Sequence, residues 1–176
     1  MNDWRTRTHP LRKKLFDRGF SMLIYAFPMI EAFAAWGRTA FLENEMYEIR
    51  FFYIDHISKI VEFHQEYYYP FLISIYGIFH ISSSGKIRIG RYLRFHIAQA
   101  TLFYVVLTAL LSTFYYSPLW ITNGLLGQIA AQEVIILTML GTCYSWIFIF
   151  YGYYPQIPIF TSGAKLLLQR DKLDIE

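Results

Sequence analysis

A chain of 176 residues that is 55% hydrophobic, 20% aromatic and only 16% charged has too few charges to coat an ordinary soluble surface. Its net charge of +3 sits on the flanks of apolar runs, not in a basic patch interleaved with aromatic platforms, which argues against a nucleic-acid partner. The single cysteine, Cys143, excludes an intramolecular disulfide and, inside an apolar run, reads as a small buried thiol.

Four apolar stretches predict an all-α membrane protein: one integral membrane domain over residues 1–176 with four transmembrane helices, at about 20–37, 67–81, 95–116 and 134–154. Roughly 20 apolar residues cross about 30 Å of hydrocarbon as a helix, because backbone polar groups find no water there and must bond to one another. The basic start has no small-residue cleavage site after the first apolar run, and it contains Asp3 and Asp17 with no Ser before Ser21. It therefore reads as neither a signal peptide nor a transit peptide. The first span carries Pro28, which removes a backbone donor and predicts a kink, and Glu31, about 9 Å from its outer end at roughly 1.5 Å per residue.

The connection from Arg38 to Glu66 is too apolar for a free linker. Ile49, Phe52, Tyr53, Ile57, Ile60 and Val61 recur at steps of three and four, with Asp55, Ser58, Lys59 and Glu62 on the other side. This pattern predicts an interfacial amphipathic helix over about 45–64, packed as a lid on the bundle or presented to a partner. His56 and the His64-Gln65-Glu66 run read as solvated surface. The second span is short and leans on the Tyr67-Tyr68-Tyr69 belt. Ser- and Gly-rich residues 82–90 then predict an antiparallel hairpin with the third span, and Gly85-Lys86 lacks the rest of a phosphate loop. In the fourth span, Thr138, Gly141 and Ser145 form a small-residue stripe suited to close helix packing.

Basic residues set the orientation. Arg5, Arg7, Arg12, Lys13, Lys14, Arg18, Lys86, Arg88, Arg91, Arg94, Lys165, Arg170 and Lys172 fall on one side, leaving Arg38, Arg50 and Lys59 among the acids of the first connection. Both termini, including an inner-side tail over 155–176, are therefore expected on the inner face.

Polar residues at membrane depth mark candidate function. Glu31 reads as a group lining an aqueous path, a contact to a partner subunit, or a carboxyl satisfied inside the bundle. His80 and His96 fall at equal depth on antiparallel spans, where they form a structural pair with Arg94 and Gln99 as hydrogen-bond partners, or ligate a haem or pigment. A solute transporter centred on Glu31 is disfavoured by the lack of an internal repeat or paired broken helices. No nucleophile elbow, zinc spacing or thiol–base pair occurs, so neither catalysis nor a metal or cofactor is expected.

Three segments carry a family resemblance. YAFPMIEAFAAWG, from Tyr25 to Gly37, resembles the first span of the twenty-kilodalton family of the translocon at the inner envelope of chloroplasts (TIC), with its proline, acidic residue and glycine. GRYLRFHIAQA, from Gly90 to Ala100, is similar to the family's third-span entry, and YYPQIPIFTSGAKLLLQR, from Tyr153 to Arg170, to its ending. The chain departs from the family at Phe160 to Ala164, where many members have Ile-Ser-Glu-Ala, and at His96, where many have Asn. The resemblance implies a plastid inner-envelope protein with both ends in the stroma. With other translocon subunits and in contact with membrane lipid, it would form a path for precursor polypeptides. Candidate path or partner contacts are Pro28, Glu31, Arg94, His96, Gln99 and Pro158.

Overall fold

The computed structural model describes residues 11–42, 47–84, 89–122 and 124–170, and these are helical with no strand. Helix α1, Leu11–Gly37, continues through a π-helical turn, Arg38–Leu42. A short α2, Tyr47–Phe52, and a second π turn, Tyr53–Ile57, lead into α3, Ser58–Glu66, and α4, Tyr68–Ser83. Then come α5, Arg91–Tyr115, the single turn α6, Leu119–Thr122, α7, Leu125–Tyr151, and α8, Phe160–Arg170. Glu43, Glu45 and the Gly85-Lys86 connection lie outside the described residues.

Three helical segments are long and apolar enough to cross a membrane: Leu15–Phe41, Arg91–Tyr115 and Leu125–Tyr151. Each begins before the bound expected from hydropathy, and the first also ends beyond it, whereas the other two end short of 116 and 154. The last begins before Val134 because Gly124, in an extended conformation, caps a helix that runs straight through Gln128, Gln132 and Glu133. The stretch expected at 67–81 is instead α4, whose 16 residues rise about 24 Å and fall short of the hydrocarbon by themselves.

Helix α1 is central and packs along both α5 and α7, while α4 and α8 lie against α5. Residue pairing gives the directions. Trp146 Nε1 donates to the Met22 carbonyl at 2.9 Å and Gln132 Nε2 to Ala40 at 3.4 Å, so α7 runs antiparallel to α1. Tyr25 meets Gln99 and the Trp36 ring meets Phe114 at 4.4 Å, so α5 runs parallel to α1. The starts of α1 and α5 and the ends of α4 and α7 thus share one end of the bundle, where Arg18, Arg91 and Arg94 are also found.

The core is layered along this axis. Ile24, Tyr25, Leu93, Ile97, Ala100 and Ile149 pack at the inner end, and Trp36, Ala40, Ala131 and Ile135 at the outer end. Phe95, Ala98 and Ala164 seat the amphipathic α8 on α5. Thr138, Thr142 and Ser145 are buried, and Gly141 leaves room for Phe103, where an added Cβ would lie 3.3 Å from the ring. The Thr138 and Ser145 hydroxyls donate to carbonyls one turn back, which satisfies them without a partner helix. Cys143, expected buried, is exposed, because it follows Thr142 by about 100° around the helix and faces away from that stripe.

Pro28 is buried and interrupts nothing, since α1 is continuous through it. The break falls instead between α3 and α4. Tyr67, at φ −106° and ψ 27°, leaves the helical region, and Pro70 in the following turn has no N–H to offer the carbonyl of Glu66.

Candidate functional site

Two buried polar clusters hang on α5, one on each side of mid-depth. The inner one centres on Gln99, wholly enclosed. Its Oε1 accepts from the Tyr25 hydroxyl at 2.9 Å, and its Nε2 donates to Thr161 Oγ1 at 3.2 Å and to the Pro155 carbonyl at 3.4 Å. A single amide thereby ties α1 and α5 to the segment that leads into α8. Arg18 Nη1 donates to the Phe150 carbonyl at 3.0 Å, placing a cation against the exposed carbonyls at the end of α7. Gly152, at φ +80°, closes that helix in the left-handed region, with the Arg18 guanidinium where a side chain would begin.

The outer cluster centres on Glu31, only 2% exposed. Arg18 and Arg38 bracket about 30 Å of α1, and Glu31 lies about 10 Å inside Arg38 at roughly 1.5 Å per residue. The Tyr104 hydroxyl donates to Glu31 Oε2 at 3.1 Å, and His64 Nε2 lies 3.3 Å from the same oxygen. The histidine contact is electrostatic, because neither ring nitrogen of His64 is aligned for a hydrogen bond. His64, expected on a solvated surface, is 2% exposed and packs against the rings of Tyr68 and Phe71. The segment expected to lie flat on the membrane therefore presses one face onto α1. Tyr53 is stacked on Phe41 at 5.4 Å and fits over Gly37, where an added Cβ would lie 2.6 Å from its ring. Burial, with Glu62 adding to it, pushes the Tyr53 phenol up and keeps it neutral.

The remaining sequence candidates separate. Arg94 Nε donates to the Ser82 carbonyl at 2.7 Å and closes the C-terminal end of α4, rather than serving a histidine pair. His96 is wholly buried, with the rings of Tyr25, Tyr92, Phe95 and Tyr154 around it, whereas His80 is exposed on α4. An axial ligand needs open space before a ring nitrogen, and aromatic rings fill that space at His96. Pro158 is exposed, and its carbonyl accepts from the Phe160 amide at 2.8 Å as the chain turns into α8. Glu31 and Gln99 are thus the two hubs, joined to one frame by α1 and α5.

No family model matches the chain. The Tic20 family protein Ycf60 of Cyanidium caldarium is 28% identical over 155 residues, covering 86% of this chain and 73% of that protein. The chain is a relative of the Tic20 family. The alignment is long enough to include most of the bundle, so the Tic20 relationship applies to its helical frame and is not confined to one motif.

Proposed function

We propose that this chain is a multi-pass subunit of a protein translocon in the plastid inner-envelope membrane, with both ends in the stroma. Together with other translocon subunits, it forms a path for precursor polypeptides. The observation that carries this proposal is the Tic20-family relationship over 86% of the chain. Three apolar helices with arginines gathered at one end of the bundle support the membrane placement and its polarity. We further assign the fourth crossing to α3 and α4 in series, because α3 starts beside the outer end of α1 and α4 ends beside Arg94 at the inner end.

Glu31 and Gln99 hold the frame. Both are enclosed and engaged by neighbours within the chain, so they set the shape of the bundle while the moving polypeptide is met by other surfaces. Purification of the tagged chain from plastid membranes in mild detergent, with identification of bound proteins, tests the proposal. Recovery of other translocon subunits is expected. Recovery of the chain alone, or with a tetrapyrrole absorbing in the Soret region, would overturn it.

A further inference from the structure

We infer that the chain re-enters the membrane after α7, and that residues 155–162 line a water-filled vestibule open to the inner side, through which the polypeptide leaves. The vestibule rests on the geometry of this chain; the polypeptide in it rests on the translocon reading above.

Helix α7 ends at Tyr151 beside Arg18, at the inner end of the bundle. The chain does not stay there. The Pro155 carbonyl accepts from Gln99 Nε2, the Gln156 amide donates to the Tyr144 hydroxyl at 3.4 Å, and the Phe160 ring meets that of Phe103 at 5.0 Å. Gln99 and Phe103 lie about 12 and 18 Å along α5 from Arg91 at roughly 1.5 Å per residue, so Phe160 is near the middle of about 30 Å of hydrocarbon. Phe103 also packs over Gly141, about 15 Å before the end of α7, which gives a similar depth by a second route. Helix α8 then leads back: Gly163 faces Leu102, Ala164 sits with Ala98 and Phe95, and Leu167 and Leu168 join Phe79 near the inner end of α4. Residues 152–170 thus form a hairpin that reaches mid-depth and returns to the inner face.

The first limb of this hairpin is not helical. Between Gly152 and Phe160 the backbone is irregular, Pro155 and Pro158 have no amide to offer, and Ile159 turns at φ 70°, a left-handed conformation that a β-branched residue rarely takes. Among the described residues, no hydrogen bond reaches the amides of Tyr154, Ile157 and Ile159 or the carbonyl of Gln156. Each such group would cost several kcal/mol in hydrocarbon, and irregular backbone persists at membrane depth only inside protein or against water. This chain does not cover the segment: Gln156, Pro158, Ile159 and Ser162 are exposed, Ile159 to 80%. At similar depth α7 turns Leu137 and Leu140 outward, a surface fit for lipid. Above the tip, Phe160 packs with Ala32, Phe103 and Leu107, a dry layer that closes the vestibule toward the outer side. Unpaired main-chain groups beside a side-chain amide and a hydroxyl can bond the main chain of any polypeptide, whatever its sequence.

The test uses the full chain in sealed membrane vesicles with Cys143→Ser, one new cysteine at a time, and a charged, impermeant maleimide added from the inner side. Gln156→Cys and Ser162→Cys should label within about tenfold of the rate at Ser84→Cys, exposed at the inner end. Leu140→Cys, exposed near the depth of Phe103, should label at least about a hundredfold more slowly, since a thiol in apolar surroundings stays protonated. Rates at Gln156→Cys and Ser162→Cys as slow as at Leu140→Cys would mean that lipid or another protein covers the segment, and would overturn the vestibule. A precursor arrested part-way, with arrest scored by its own protease protection, should slow labelling at Gln156→Cys and Ser162→Cys and leave Ser84→Cys unchanged. Arrest without that slowing would overturn passage of the polypeptide through the vestibule. Failure of any precursor to arrest would overturn the translocon reading and the polypeptide with it, while the labelling rates still decide the vestibule.

Discussion

The inner and outer halves of the bundle solve the same problem to different degrees. Around Gln99, each of the three side-chain hydrogen bonds joins different parts of the chain, and Arg18 and Arg94 close the helix ends nearby. Around Glu31, one carboxyl oxygen serves both Tyr104 and an unaligned His64, two π turns interrupt the backbone, and a helix breaks at Tyr67. A fully engaged network rigidifies its surroundings, whereas a partly engaged one leaves a site free to rearrange. The contrast teaches that the inner half is the anchor and the outer half the part built to move or to meet another chain.

The largest effect expected is that of Gln99→Leu, which orphans the hydroxyls of Tyr25 and Thr161 in a dry interior. A loss of about 3 kcal/mol follows from roughly 1–3 kcal/mol for each buried polar group left unmatched. It should appear as a lowered unfolding midpoint in detergent and poor recovery of folded protein. A change no larger than that of a surface variant would break the claim that the inner half is the anchor. Glu31→Leu should cost about 2 kcal/mol by stripping the partner from Tyr104, while Glu31→Gln, which still accepts from that hydroxyl, should cost under about 1 kcal/mol. Import with Glu31→Gln should remain near normal, and severe loss of import in a complex that still assembles would place the carboxyl in the path itself.

Gly37→Ala sharpens the comparison from the other side. The new methyl meets the Tyr53 ring, so the segment before α3 should lift from α1 at a cost of about 1–2 kcal/mol, read as faster tryptic cleavage at Arg50 or Lys59 in intact vesicles. Gly152→Ala forces a side chain into the left-handed region beside Arg18 and should lower stability by about 1 kcal/mol, with no change in cleavage at those outer sites. The smallest disturbance is a pair of cysteine probes, at Ser83 and at Asp55 in a Cys143→Ser background. They should label from opposite faces of sealed vesicles, and labelling of both from one face would break the crossing assigned to α3 and α4.

The long helices are legible in the sequence because their apolar runs are unbroken and their basic flanks mark the ends. Glu31 is legible as a polar residue that lipid would not tolerate, whereas Gln99 reads from sequence as a partner of the histidine pair and bonds instead to Tyr25, Pro155 and Thr161. His64 is not, because it lies among Lys59, Glu62, Gln65 and Glu66, where a charged neighbourhood reads as surface. A period of three to four residues identifies the buried face of α3 but not what covers it, so lying on a membrane and pressing onto α1 give the same pattern. The early start of α7 is obscured for a related reason, since Gln132 and Glu133 read as a boundary although the helix carries them past the outer end of α1.

The central position of α1 constrains biogenesis. The helix leaves the ribosome before the surfaces that sheathe it, α5 and α7, which belong to residues 91–115 and 125–151. Until α5 arrives, Glu31 lacks Tyr104 and has at most His64 of the earlier α3 beside it, in lipid or against an insertion factor. Arg18, which closes the end of α7, meets its acceptor only when Phe150 has been made. Assembly therefore closes around α1 only after α5 and α7 have followed it, and a chain halted before α7 would expose a carboxylate-bearing helix to membrane quality control.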